Sequence, residues 1–306
     1  MNEQDLQRRI QELQNLASSQ NVDISHEISR LSSKLKGGHA DEEPDAWKRV
    51  ELARHSDRPG TMQYISHMSD QFMEFHGDRA FGDDKAIVGG ICRIGGHYFT
   101  FIGHQKGRNM KENIRRNYGM AHPEGYRKAL RLAQQAEKFR RPILTLIDTS
   151  GAYPGLASEE RGISEAIARN LKEFSVLKTP IICIVIGEGG SGGAIGIGVG
   201  DRVFMLENSV YSVISPEGCA SILLRDPKKA REAAALMKMT AVDLRAGGVI
   251  HGIIPEAPGG AHTDPVYTAT QIKTQVLETY KLLSRKRPEV LRQERSETIR
   301  RLGAHL

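Results

Sequence analysis

Two runs dominated by large aliphatic side chains, Ile143–Ile147 and Ile181–Ile186, each lead into a segment of small residues. A strand with apolar residues at nearly every position, rather than at alternate ones, is stable only if both faces of its sheet are covered. The chain between and around these runs supplies the cover. Helical spacing is read over Pro123–Phe139 and Ser158–Leu177, so strands and helices alternate as they do in parallel crossover units. Ala86–Ile94 and His97–Ile102 flank Gly95-Gly96, the signature of a hairpin. A helix running to about Phe75 is expected before that hairpin. Shorter strands are expected at Val203–Leu206, Tyr211–Ile214 and Val249–Ile254, and a long basic helical tail from about Thr263. The fold class is therefore α/β. Residues 1–60 read as a helical N-terminal arm and connection, 61–262 as the core, and 263–306 as the tail. Within the arm, Leu6, Ile10, Leu13 and Leu16, then Ile24, Ile28, Leu31 and Leu35, form narrow apolar stripes suited to a helical hairpin or a partner-facing surface.

Composition narrows the function. Of 306 residues, 39% are hydrophobic and 31 are glycine, enough for a sizeable core, while aromatics at 6% argue against a base-stacking platform. Cys92, Cys183 and Cys219 are far apart and form no C-x-x-C pair, so neither a disulfide framework nor a zinc site is expected. The net charge of +6 suits anionic partners such as phosphates. The acidic, polar start Met1–Asp5 does not read as a signal peptide, and no apolar run approaches the ~20 residues of a membrane helix, so a cytoplasmic protein is expected.

Three stretches carry chemistry. Gly187-Glu188-Gly189-Gly190-Ser191-Gly192-Gly193-Ala194 follows a buried strand and admits three functional readings. Gly187-x-Gly189-x-x-Gly192, with Glu207 beyond the next strand, matches a dinucleotide fingerprint, but the helix that should follow is short and glycine-laden. Gly189-x-Ser191-x-Gly193 matches a nucleophile elbow, with Asp243 and His251 or His262 as partners. The third reading is an oxyanion hole without a nucleophile, in which the amides of Gly192 and Gly193 face a developing negative charge. Close helix–sheet packing also calls for glycine here. The second stretch, Asp148–Gly155, lies at the carboxyl end of a strand, where α/β sheets place ligand crevices. There Gly151 and Ala152 are candidate substrate contacts, and Asp148 and Thr149 could equally cap a turn. The third, residues 103–117, holds Lys106, Arg108, Lys111, Arg115 and Arg116, either a phosphate-receiving loop or a solvated charged one.

Together these stretches resemble the alpha subunits of bacterial acetyl-coenzyme A carboxylase carboxyltransferase. The matching segments are HQKGRNMKENIRRNYGMAHPEGYRKALRL (104–132), DTSGAYPGLASEERG (148–162), EGGSGGAIGIGVGD (188–201), YSVISPEGCASIL (211–223) and GGAHTDP (259–265), within a resemblance covering residues 1–285. Ser150 stands where the family pattern has proline and Met110 where it has threonine; neither change removes a backbone donor. The resemblance implies a crotonase-like (Clp protease/crotonase) superhelix of ββα units with an N-terminal helical arm. It implies transfer of a carboxyl group from carboxybiotin, tethered to the biotin carboxyl carrier protein, to acetyl-CoA, forming malonyl-CoA for fatty acid biosynthesis. The implied assembly is an alpha2 beta2 heterotetramer with a zinc-bearing beta subunit, working beside biotin carboxylase and away from membranes, with no metal in this chain. Gly192 and Gly193 take the catalytic role, and Gly151, Ala152, Lys106, Arg108 and Lys111 the substrate-binding role. The competing expectations are a serine hydrolase on the same fold, using Ser191, and a non-enzymatic scaffold.

Overall fold

A computed structural model describes residues 45–303; the helical stripes expected over residues 1–36 lie outside the described residues. From Ala46 onward the chain forms one compact unit. Its first elements are helix α1 (Ala46–Ala53) and helix α2 (Thr61–Met68), followed by strands β1 (Gln71–Glu74), β2 (Ile87–Ile94) and β3 (His97–His104). Next come α3 (Met110–Arg115), α4 (Pro123–Lys138), β4 (Ile143–Thr149), α5 (Leu156–Glu160), α6 (Ile163–Val176), β5 (Ile181–Gly190) and α7 (Ser191–Ile195). The remainder is β6 (Arg202–Leu206), β7 (Val210–Ser212), α8 (Pro216–Cys219), α9 (Ala230–Leu236), α10 (Ala241–Ala246), β8 (Gly252–Ile254), α11 (Pro265–Leu283) and α12 (Pro288–Arg301).

The strands lie in the order β1-β2-β3-β4-β5-β6-β8. The hairpin β2–β3 is antiparallel with Ile94 opposite His97, and β3, β4, β5, β6 and β8 run parallel. Strand β5 is the hub: its first part pairs with β6, and Glu188–Gly190 pair with β7. Alternation along the central strands divides the core in two. Ile143, Ile147, Ile181, Cys183 and Val185 pack with α4 and α6 residues such as Leu132, Ala133 and Phe174 on one face. Leu144, Leu146, Ile182, Ile184 and Ile186 pack with Ile65, Ile272 and Val276 on the other. Each such side chain contributes about 1.5–3 kcal/mol by leaving water, which is why the two aliphatic runs sit at the centre of the sheet.

Several expected boundaries shift. The helix expected to reach Phe75 ends at Met68, because Ser69 is extended and Gln71–Glu74 pair with β2 as an edge strand. The helix expected over Ser158–Leu177 is broken by Gly162, whose left-handed φ of 79° separates α5 from α6. The last expected strand contracts to Gly252–Ile254, since the amides of Val249 and Ile250 close turns onto the Leu244 carbonyl. The tail helix starts at Pro265, where the Asp264 carboxylate accepts the Tyr267 amide.

Candidate active site

The carboxyl ends of β4 and β5 bring the two glycine-bearing segments against each other. A bulge between Ile147 and Thr149 aligns Thr149 with Gly189. Beyond it the loops meet backbone to backbone. A Cβ on Gly193 would lie 2.5 Å from the Gly151 carbonyl carbon and 2.6 Å from the Ala152 nitrogen, and one on Gly190 would collide with the Ser150 carbonyl. The opposite sides are open: nothing lies within 4 Å of a Cβ on Gly151, and only Ile167 Cδ1, at 3.6 Å, near one on Gly192. The Gly192 and Gly193 amides begin α7 and have no carbonyl one turn earlier to bond. The structure therefore brings Gly151, Ala152, Gly192 and Gly193 together, with glycine serving both as a packing device and as bare backbone.

Beside these loops lies a cleft of about 570 Å³, lined among others by Arg54, Arg58, Lys106, Arg108, Tyr118, Asp148, Ser150 and Glu188. Lys106 leaves the end of β3 and turns inward. Its Nζ lies 2.8 Å from Asp148 Oδ1 and 2.9 Å from Glu188 Oε2. The Glu188 amide donates to Asp148 Oδ1 at 3.0 Å, and Arg54 joins Glu188 (2.7 Å) to Glu217 on α8 (2.6 Å). Burial disfavours charge on Lys106, yet Asp148 and Glu188 more than offset it and keep the ammonium protonated above the usual lysine range. Burial likewise opposes the Glu188 carboxylate, but Lys106 and Arg54 pull it down to about 2. A second buried pair, Arg58 with Glu256, anchors this wall: Arg58 Nε donates to the Ile186 carbonyl at 2.7 Å, and the Asn208 side-chain amide donates to Glu256 at 3.0 Å. His104 is fully buried behind the loops, beside the Gly193 backbone, which opposes but does not offset its desolvation. Burial and Lys106 push its pKa down to about 3. Arg108 and Lys111 are exposed, without an ion-pair partner among the described residues, and only Arg108 lines the cleft.

The alternatives do not assemble. No histidine hydrogen-bonds Ser191 among the described residues: His251 Nδ1 accepts the Val203 amide, His262 stacks on His55 at 3.8 Å, and Asp243 accepts the Thr240 hydroxyl. The dinucleotide reading fails on the five residues of α7, too few for a crossover helix, and Glu207 accepts the Glu256 amide. The described residues contain no group of three or more His, Cys, Asp or Glu side chains able to hold a metal, and no helix long and apolar enough to cross a membrane.

Asp148 and Glu188 are the residues sequence reasoning passed over as site members. Each ends a run of buried strand residues just before a glycine loop, a place where a carboxylate needs a counter-charge; that need was the available signal.

This sheet, with strand ends closed by abutting glycine loops, is the crotonase-like architecture. It is similar to transcarboxylase 12S (TM-score 0.63, 18% identity, 81% of this chain and 46% of that one). It is also similar to a chain of the Pseudomonas malonate decarboxylase MdcD-MdcE hetero-dimer (TM-score 0.61, 16% identity, 79% of this chain and 97% of that one). At the sequence level, the family described as acetyl co-enzyme A carboxylase carboxyltransferase-like matches residues 2–303. The acetyl-coenzyme A carboxylase carboxyl transferase subunit alpha of Treponema denticola is 58% identical over 305 residues, covering 100% of this chain and 99% of the relative. The subunit of the same name from Bacillus cereus is 54% identical, covering 98% of this chain and 93% of the relative. The chain belongs to the family of acetyl-coenzyme A carboxylase carboxyl transferase alpha subunits.

Proposed function

We propose that the chain is the alpha half of a carboxyltransferase that converts acetyl-CoA to malonyl-CoA. The observation that carries this is the family match through residues 2–303, which includes both glycine loops and the cleft beside them. The carboxyl group comes from carboxybiotin on the biotin carboxyl carrier protein, whose ring nitrogen also receives the proton lost by the acetyl methyl. This chain contributes backbone. The Gly192 and Gly193 amides donate to an oxygen on which negative charge develops, and the open side of Gly151–Ala152 lets a substrate lie against the opposing loop. The fit rests on the open space beside Gly192 and Gly151, where any larger residue would project. Arg108 and Lys111 present free cations to the phosphates of coenzyme A. Lys106, in the same loop, borders the substrate cleft. A beta subunit completes the site in an alpha2 beta2 tetramer, biotin carboxylase supplies the charged carrier, and the assembly works in the cytosol.

The test is co-expression of this chain with a beta subunit, followed by malonyl-CoA decarboxylation in the presence of free biotin. The complex should decarboxylate malonyl-CoA and the separated chain should not. Activity from the chain alone, or a complex active only as an esterase, would overturn the proposal.

A further inference from the structure

Given that reading of the site, we infer that Lys106 acts as a positioning residue: it ties the ends of β4 and β5 together through Asp148 and Glu188, and so sets the spacing of the two glycine loops. Lys106 comes from the segment that follows a third strand, β3, and its ammonium contacts one carboxylate from each of the two strands at 2.8 and 2.9 Å. Those carboxylates stand just before Ser150–Ala152 and Gly189–Gly193, the segments that meet backbone to backbone. The surrounding backbone is shaped for this cluster. A Cβ at Gly187 would collide with Asp148 Oδ1, and one at Gly119, already at φ +80°, would sit 3.0 Å from Lys106 Cγ and 2.9 Å from the Asp148 carbonyl. The Glu188 amide, donating to Asp148, adds a neutral link between the same two strand ends. A lysine held by two carboxylates and seated against a glycine-made recess at Gly119 is not placed to leave them for a phosphate.

Removing this cation leaves two buried carboxylates facing each other, an arrangement that repels until one takes up a proton. The charges acting on them are otherwise fixed: Arg54 on Glu188, Arg58 and Tyr64 on Asp148, with Glu256 behind Arg58, Glu217 behind Arg54, and His104 against Lys106. Loop spacing then depends on pH, which gives the inference a readout that simple loss of binding lacks.

The experiment uses the complex with the beta subunit, measuring kcat and KM for malonyl-CoA decarboxylation between pH 6 and 8.5. The wild-type complex controls for the functional reading: if it is inactive, that reading fails, whereas the inference here concerns differences among variants of an active complex. Lys106→Met should lower kcat at pH 8 by about 10²-fold, the scale that a 1 Å misplacement brings. KM should change little, and kcat should recover as the pH falls. Lys106→Met/Glu188→Gln, with one carboxylate neutralised, should regain part of kcat at pH 8 and lose the pH dependence, the remaining loss being that of the missing tie. Arg108→Ala/Lys111→Ala should instead raise KM. A Lys106→Met complex with raised KM, unchanged kcat and no rescue by Glu188→Gln would overturn the inference. If Lys106→Met does not assemble, Glu188→Gln alone decides. A positioning pair loses kcat at constant KM; a phosphate-binding lysine freed from one carboxylate lowers KM with kcat kept.

Discussion

A buried cation, Arg295, and a half-buried one, Lys106, are held by carboxylates near opposite ends of β5, and they do different work. Arg295, on α12, spends all five N–H donors: two on Asp201 (3.0 and 2.9 Å), and the others on the carbonyls of Phe174, Leu177 and Thr179. Asp201 in turn accepts the Ile181 amide at the start of β5. Every group is closed off, so the cluster welds α12 to the sheet. Lys106, at the other end of β5, borders a 570 Å³ cleft and open backbone. A polar cluster whose partners are all internal is scaffold; one that borders unfilled space and leaves nearby amides unpaired is a site.

Arg295→Met tests this contrast most severely. It leaves Asp201 and three carbonyls without their donor inside the core, a loss of about 3–5 kcal/mol on the scale of broken buried ion pairs. Denaturant unfolding of the purified chain should show it, while kcat of whatever complex remains folded should be close to wild type. A folded complex with collapsed kcat would break the distinction. Gly193→Val is the reciprocal test. Its side chain would enter the space between Gly193 and Gly151–Ala152, pushing the loops apart. Decarboxylation should fall by about 10²–10³-fold, as when an oxyanion donor is lost, with unfolding far less affected than in Arg295→Met.

Acid separates the two regions at a smaller scale. The Glu188 carboxylate has a pKa of about 2 against an ordinary 4.5, so its stabilisation is complete above 4.5 and fades as pH falls toward 2. His104, at about 3 against 6.5, is favoured neutral in the folded chain, so its contribution is complete above 6.5 and fades as pH falls toward 3. Each adds a slope of at most about 1.4 kcal/mol per pH unit inside its window. Unfolding free energies measured from pH 7 down to about 2.5 should flatten in His104→Gln above pH 4.5, and Glu188→Gln should flatten only below it. Identical slopes in wild type and His104→Gln would mean that the imidazole finds a partner for its proton.

Much of the scaffold could be read from the chain because the constraint is local. Strands buried on both faces must be aliphatic throughout, so Ile143–Ile147 and Ile181–Ile186 announce β4 and β5, and Gly95-Gly96 announces the β2–β3 turn. Strand β1 escaped because it is four residues long, mostly exposed, and defined only by pairing with β2. The glycine loops were visible as motifs, but their contact was not, since Gly193 meets Gly151 only after β4 and β5 align. The charge network was hidden for the same reason. Arg54, Lys106, Asp148, Glu188 and Glu217 lie on five separate elements or loops, and in sequence Lys106 is merely one cation in a basic run. Whether such a lysine points to solvent or into the molecule is decided by Asp148 and Glu188, which the topology supplies.

The smallest expected effect concerns Ser191, the residue on which the carboxyltransferase and hydrolase readings divide. It sits at the strand–helix junction with φ of 48°, a left-handed conformation that nucleophile elbows share. Its backbone thus fits either reading, and the difference lies in its surroundings. A serine nucleophile needs a base within hydrogen-bond reach and a third group to orient that base. Here Ser191 is exposed, His251 and His262 are engaged elsewhere, and the Asp243 carboxylate accepts the hydroxyl of Thr240, the residue that caps α10. In a site built on the Gly192 and Gly193 amides, Ser191→Ala removes only a hydroxyl and keeps both donors. Decarboxylation by the Ser191→Ala complex should therefore stay within about threefold of wild type, a change below 1 kcal/mol. A fluorophosphonate probe should leave Ser191 unlabelled. Labelling, or a loss comparable to that of Gly193→Val, would move the chemistry from the amides to the hydroxyl.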